Sequence, residues 1–181
     1  LFYGKVDDYI LTYASTAQGP CPAGTLNAMT GVWSCGANVN ATRWGGEADL
    51  AWRFAPAWTL RGSLAFVRGE NDSRDVPLAQ TPPLESRLGL DYRAGPWTFG
   101  GVLRMVAEQD RVDPGYGNIV GQDYGRTPGF STLSVNAAYK PNRHWLVSAG
   151  IDNLLDKTYA EHLARDNSFE AGANTRVNEP G

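Results

Sequence analysis

The chain has 181 residues, 42% of them hydrophobic and 19% charged, with a formal net charge of −3 and a pI of about 5.3. That apolar content excludes a disordered tail, and the acidic balance gives no electrostatic footprint for a nucleic-acid partner. No apolar run is long enough for a membrane-spanning helix. A membrane-spanning β-barrel stays open, because its alternating strands average out as polar.

In chain order, seven segments alternate with period two, the pattern of half-buried strands. The first sets Phe2, Val6 and Ile10 on one face against Lys5 and Asp7. The second sets Ala48, Leu50, Trp52 and Phe54 against Glu47, Asp49 and Arg53; the third, Trp58, Leu60, Leu64 and Phe66 against Thr59, Arg61 and Ser63. The fourth sets Leu84, Leu88, Leu90 and Tyr92 against Glu85, Arg87, Asp91 and Arg93; the fifth, Trp97, Phe99, Leu103 and Met105 against Thr98, Arg104 and Glu108. The sixth sets Leu133, Val135, Ala137 and Tyr139 against Thr132, Ser134, Asn136 and Lys140; the seventh, Trp145, Val147, Ala149 and Ile151 against Ser148 and Asp152.

The connections alternate too. Residues 55–57, 95–96 and 141–144 are short and carry Pro56, Gly95, Pro96, Pro141 and Asn142 as turn chemistry. Residues 12–41, 70–82, 110–128 and 156–181 are long and polar. An up-and-down meander then places every long loop at one end and every tight turn at the other, the layout of an outer-membrane barrel. Aromatic side chains flank each short turn: Trp52, Phe54 and Trp58 the first, Tyr92 and Trp97 the second, Tyr139 and Trp145 the third. Side by side they form a belt suited to a membrane–water interface. A soluble sandwich or lipocalin-like barrel also alternates, but strands of about ten residues exceed the soluble mode and match a membrane strand. The expected fold is therefore all-β, an antiparallel up-and-down transmembrane β-barrel segment. Seven strands cannot close as a bacterial barrel, which uses an even count, and open edges in lipid are costly. Residues 1–181 are thus expected to form part of a larger barrel, cut at both ends.

Cys21 and Cys35 lie in a Gly/Pro/Asn-rich stretch and suit a disulfide in an oxidising compartment, two unrelated free thiols being the alternative. Enzyme motifs are absent: there is no Gly-x-Ser-x-Gly elbow, phosphate loop or His-Glu-x-x-His. The carboxylates Glu47, Asp49, Glu85, Asp91, Glu108 and Asp152 are interleaved with Arg53, Arg61, Arg87, Arg93 and Arg104. They read as a salt-bridged wall, not a catalytic pair.

The stretch Gly150 to His162, with Asp152, Asn153, Leu154, Asp156, Tyr159, Glu161 and His162 as its marker residues, resembles the penultimate-strand signature of TonB-dependent outer-membrane receptors. Leu1 to Ile10, Asn40 to Leu50 around Gly45-Gly46-Glu47, and Pro77 to Pro83 resemble barrel text of the same family. The resemblance implies a barrel of about 22 strands filled by an N-terminal plug, in the outer membrane of a Gram-negative bacterium, energised through the TonB complex. Under it, this chain supplies about seven strands near the C-terminal end, without the plug, the coupling box or the last strand. Ala107 to Pro114, Gly117 to Asp123 and Thr175 to Gly181 resemble the copper-receptor branch. Copper or a copper complex is then the expected cargo, with no resident cofactor; an iron-siderophore or other nutrient receptor, and a passive pore, are the alternatives. Copper prefers Met, Cys and imidazole donors, and the chain offers few: Met29, Met105, His144 and His162 besides the two cysteines. Met29 and His162 are the metal candidates, each also readable as structural. Met105 falls on the apolar side and His144 in a short turn.

Overall fold

The computed structural model describes residues 1–15, 25–27, 32–117, 122–164 and 178–179. It contains β1 (Phe2–Ser15), β2 (Thr25–Asn27), β3 (Val32–Ala55), β4 (Trp58–Asn71), β5 (Val76–Pro77), β6 (Glu85–Ala94), β7 (Trp97–Val106), β8 (Tyr116–Gly117), β9 (Phe130–Tyr139) and β10 (Val147–Ile151). Among the described residues there is no helix. All the strand pairings are antiparallel, in one open sheet ordered β10-β9-β7-β6-β4-β3-β1-β8. β1, β3, β4, β6, β7, β9 and β10 are the expected meander, each beside its neighbour in sequence. β2, β5 and β8 are two- or three-residue pairings contributed by loops.

Register turns the period-two pattern into two chemically distinct faces. Leu88 stands opposite Leu103, and Leu103 opposite Leu133, on one face. On the other, Asp49, Ser63, Arg87, Arg104 and Thr132 form one continuous cross-strand row. The apolar face is exposed: Leu50, Trp52, Leu64, Leu88, Leu90, Phe99, Met105 and Val147 are all among the large exposed hydrophobics. Water-soluble monomers rarely expose contiguous apolar patches beyond a few hundred Å2, so this face suits hydrocarbon.

The first two short turns hold as expected; the third is longer, because β9 ends at Tyr139 and β10 begins at Val147, which leaves Trp145 before the strand. Gly95 takes a left-handed φ of 58°, which a glycine adopts without Cβ strain. Beside the turns, rings touch in an unbroken chain: Trp52–Phe54 (5.6 Å), Phe54–Trp58 (6.3 Å), Trp58–Tyr92 (4.5 Å), Tyr92–Phe99 (6.5 Å), Phe99–Trp97 (5.8 Å) and Trp97–Tyr139 (4.4 Å). A second aromatic level, not foreseen from the sequence, lies further up the strands, where Trp44 meets Phe66 edge-on at 5.6 Å. Trp44 and Trp52 are eight residues apart on β3, roughly 27 Å along the strand, or about 20 Å after a barrel tilt of about 40°, close to the apolar band between the girdles of an outer-membrane barrel.

The first strand departs from the expected facing. Phe2 and Val6 pair with Gly45 and Ala41, on the charged side of the sheet. A bulge between Val6 and Tyr9 inserts one residue, and Asp8 there has a positive φ of 57°. Beyond it Tyr9, Leu11 and Tyr13 pair with Val39, Ala37 and Cys35, again on the charged side, while Ile10 turns to the apolar face. The strands also outrun the expected boundaries: β1 extends to Ser15 and β3 begins at Val32, inside the segment read as one long loop. The small buried core (Leu11, Val39, Ala41, Leu78 and Ala79, with Tyr9 and Tyr116 against it) lies on the charged side at the long-loop end.

Candidate functional site: the charged face and its inward loops

The charged face is built by β3, β4, β6 and β7, whose odd or even positions the pleat turns to one side. Arg61 pairs with Asp91 at 2.5 Å. Glu85 accepts from Arg87 Nε (2.7 Å) and from both Nε and Nη2 of Arg104 (3.0 and 2.7 Å). Arg104 also donates through Nη1 to Glu161 at 2.5 Å, and its guanidinium lies over the Phe130 ring. The expected salt-bridged wall is present in this cluster. Among the described residues Glu47 and Asp49 make no ion pair within 4 Å; with Glu161 and His162 they line an open cavity of about 780 Å3.

The long loops fold over this face instead of standing clear of it. After the β4–β5 hairpin, Leu78 and Ala79 enter the core. A Cβ on Gly69 would lie 2.8 Å from the Leu78 Cβ, so glycine permits that approach. Asp123, 1% exposed, is the hub. Its Oδ1 accepts from the Gln80 backbone N–H (3.0 Å) and Gln80 Nε2 (3.1 Å), and its Oδ2 from the Asp113 N–H (3.0 Å). His162 Nε2 lies 3.4 Å from Asp123 Oδ1, and its Nδ1 is 2.8 Å from Thr127 Oγ1. Arg74 pairs with Asp113 at 2.6 Å and stacks over Tyr116 at 3.9 Å, and Tyr116 stacks on Tyr13. Gln109 Nε2 donates to the Thr81 carbonyl at 2.8 Å. One polar network thus joins residues 74–81, 109–116, 123–127 and 162. Burial pushes the Asp123 carboxyl up, but the hydrogen bonds from His162, Asp113 and Gln80 outweigh it and hold the group below the ordinary aspartate value. Asp113 goes the other way: burial raises it, against the pull of Arg74.

The marker residues of the signature turn the chain off β10 onto this face. Asn153, buried with φ 49°, donates to the Lys157 carbonyl and accepts from the Lys157 N–H, both at 3.0 Å. Leu154 N–H donates to the Leu133 carbonyl at 2.7 Å, and Asp156 N–H to the Asn153 carbonyl at 2.8 Å. Tyr159 stacks on Phe130 at 4.1 Å, Glu161 reaches Arg104 and His162 reaches the hub. Asp152 and the Leu154 side chain are exposed. Of the metal candidates, His162 is 2% exposed, with Nδ1 hydrogen-bonded to Thr127 and Nε2 facing the Asp123 carboxylate at 3.4 Å; Met29 lies outside the described residues. Met105 is on the apolar face, and His144 is exposed in the last turn, accepting from Arg143 at 3.2 Å. Among the described residues no three His, Cys, Asp or Glu side chains converge as a metal site. Cys35 is buried and disulfide-bonded, whereas Cys21 lies outside the described residues.

Sequence reasoning missed Asp113, Asp123, Gln80, Arg74 and Thr127. The one available signal was the pair Leu78-Ala79, apolar within a segment otherwise read as polar loop.

Residues 1–154 match the family model described as "TonB dependent receptor-like, beta-barrel". Among solved structures, the chain is similar to "Copper transporter OprC", with 40% identity over 99% of this chain and 26% of that chain and a TM-score of 0.87. A mutant of the ferric enterobactin receptor PfeA from Pseudomonas aeruginosa matches with 18% identity over 99% of this chain and 26% of that chain, TM-score 0.64. The siderophore receptor PirA from Acinetobacter baumannii matches with 20% identity over 99% of this chain and 27% of that chain, TM-score 0.61. The chain thus spans about a quarter of these relatives' lengths, and the last two likenesses show the fold alone. A search of the curated proteins finds no match. The chain belongs to the TonB-dependent receptors, transport proteins of the outer membrane and not enzymes, and its strands are strands of their β-barrel.

Proposed function

We propose that this chain is the part of an outer-membrane receptor wall that helps take up copper or a copper complex, energised through the TonB complex by parts of the receptor outside it. The observation that carries the reading is the 40% identity, over 99% of the chain, to a copper transporter, against 18–20% to the siderophore receptors compared above. In this reading the apolar face meets lipid, the short turns lie on the periplasmic side and the charged face lines the lumen. The wall supplies carboxylates and guanidiniums but, among the described residues, no metal site. Soft donors for copper, which thioether, thiolate and imidazole suit, then come from elsewhere in the full receptor.

The test is uptake of radioactive copper by cells that carry the full-length receptor, with and without TonB, under copper limitation. Receptor- and TonB-dependent accumulation supports the proposal. Failure of copper to bind or accumulate, with restored growth on a ferric siderophore, would place the receptor in the iron branch. Uptake without TonB, together with steady conductance in a planar bilayer, would make it a passive pore.

A further inference from the structure

A group buried by this chain alone can only be covered further in the longer receptor, so the loop hub keeps its surroundings there. Its contacts close a ring. Gln109 and Thr127 stand directly opposite each other, each backbone N–H donating to the other's carbonyl at 3.0 Å. Gln109 Nε2 donates to the Thr81 carbonyl (2.8 Å), and Gln80 next to Thr81 donates to Asp123. Asp123 faces His162 Nε2 (3.4 Å), and His162 Nδ1 returns to Thr127 Oγ1 (2.8 Å). In a hydrogen-bonded antiparallel pair the Cα atoms lie about 5.5 Å apart, and directly opposed side chains leave the backbone on the same side. The Gln109 carboxamide and the Thr127 hydroxyl therefore enter one enclosed space. Gln109, Thr127, His162 and Asp123 are 7%, 5%, 2% and 1% exposed.

Thr127, His162 and Asp123 have the arrangement of an activated nucleophile: a hydroxyl within hydrogen-bond reach of a base, and the base oriented by a third group. The Asp123 carboxylate beside Nε2 favours a proton there and leaves Nδ1 to accept from the Thr127 O–H. No outside substrate reaches groups this deeply buried, so the acyl partner has to come from the chain itself. Across the pair it is the Gln109 carboxamide. Its Oε1 accepts from the Arg111 N–H at 3.1 Å, a fixed donor at the oxygen where negative charge develops when the carbonyl is attacked.

We propose that Thr127 and Gln109 join in an intramolecular ester that closes the β7–β9 loop at its base. Thr127 Oγ1 gives its proton to His162 Nδ1 and bonds to Gln109 Cδ. His162 returns the proton to the amide nitrogen, the C–N bond breaks and ammonia leaves. Nothing is oxidised or reduced, and no co-reactant enters. Well-oriented intramolecular reactions reach effective molarities of about 10⁵–10⁸ M, which an unactivated amide requires. The proposal depends neither on the cargo nor on the membrane orientation.

The test is tryptic peptide mass spectrometry of the full-length receptor purified from cells. The peptides Met105–Arg111 and Thr127–Arg143 should appear as one joined species with the mass of their sum less one ammonia, and mild hydroxylamine should separate them as an ester requires. Thr127→Val and His162→Gln should abolish the join, and Thr127→Ser should keep it, with heat-modifiable mobility on gels reporting that each barrel folds. Separate, unshifted peptides from the folded wild-type receptor overturn the proposal whichever variants fold. A join that survives Thr127→Val or His162→Gln, or that resists hydroxylamine, overturns it as well.

Discussion

Leu88 is the position where the assignment of faces can be tested most sharply. It is 46% exposed on the apolar face, opposite Leu103 on β7 and Gly62 on β4. Four residues separate it from Tyr92 in the ring chain beside the turns, and four from Leu84 at the upper end of the same run. At about 3.3 Å per residue and a tilt of about 40°, that is roughly 10 Å of membrane depth each way, which puts Leu88 near the midplane. An arginine at the midplane of an outer-membrane barrel costs about 2–4 kcal/mol, falling to about 0–1 near the interfaces. Leu88→Arg should therefore lower the folding equilibrium constant by a factor of about 30 to 1,000. Leu90→Arg, two residues from Tyr92, should cost visibly less. Arg87→Gln, one residue away on the opposite face, removes only a half-exposed pair with Glu85 and should cost about 0–1 kcal/mol. The assay is reversible urea unfolding of the full-length receptor in phospholipid vesicles, followed by tryptophan fluorescence. Equal costs at 87 and 88, or a larger cost at 90 than at 88, would refute the orientation and depth reasoning.

Asp123→Asn keeps the shape of the hub but presents an amide N–H where Gln80 and Asp113 already donate. A cost of about 1.5–3 kcal/mol is expected for hydrogen bonds to a charged group, read as faster hydrogen exchange over residues 107–117 and 122–128 with the strands unaffected. Acid should loosen the same loops. The depressed Asp123 contributes stability that is whole above its unfolded value of 3.8 and is lost as pH falls through its lower folded value. The raised Asp113 opposes this at higher pH: its contribution is whole below 3.8 and is lost as pH rises through its folded value. Protection should therefore rise first as Asp113 takes up its proton and fall only below about pH 3.8 as Asp123 does, which exchange rates corrected for their intrinsic pH dependence and followed through that range would reveal. Gly45→Ala should reduce folding yield sharply, because its Cβ would lie 2.3 Å from the Phe66 carbonyl oxygen and 2.8 Å from the Phe2 ring. Non-reducing peptide mass spectrometry should recover Cys21 linked to Cys35; alkylatable thiols in exported protein would contradict it.

The meander, its two faces and the aromatic belt beside the turns were legible because each depends on period two and on residues within a few positions of a turn. Leu88, Leu103 and Leu133 fall on one face whatever the exact strand ends. The first strand was misread because a single inserted residue reverses every later side chain, and the only local mark of that bulge is the pair Asp7-Asp8. The upper aromatic level was missed because β3 and β4 run beyond the apolar band, so Trp44 and Phe66 sit inside strands instead of beside a turn. The loop network was least legible. Its partners are 30 to 60 residues apart in many cases, and Asp123 differs from any solvated aspartate only by what folds around it. Spacing rules see neighbours along one element; they do not see three loops meeting.

That meeting also decides what the signature segment does here. A histidine at its end is a natural first guess as a copper ligand, since imidazole suits the metal. In this chain His162 instead hydrogen-bonds Thr127 and faces the Asp123 carboxylate at 3.4 Å, and Glu161 one residue earlier accepts from Arg104. Freeing His162 for a metal would leave Asp123, 1% exposed, with one fewer hydrogen-bond partner in a buried site, where a carboxylate is costly unless it is paired. The same contacts bind the segment across β7 and over the β4–β6 and β7–β9 loops. The signature is therefore better understood as the strap that holds the long loops against the lumen wall. Under the copper reading proposed above, a cation moving along this wall would meet Glu47 and Asp49 beside a cluster in which Glu85 and Glu161 are balanced by Arg87 and Arg104. Carboxylate oxygens suit a soft metal poorly, so that reading puts the selective grip outside the described residues.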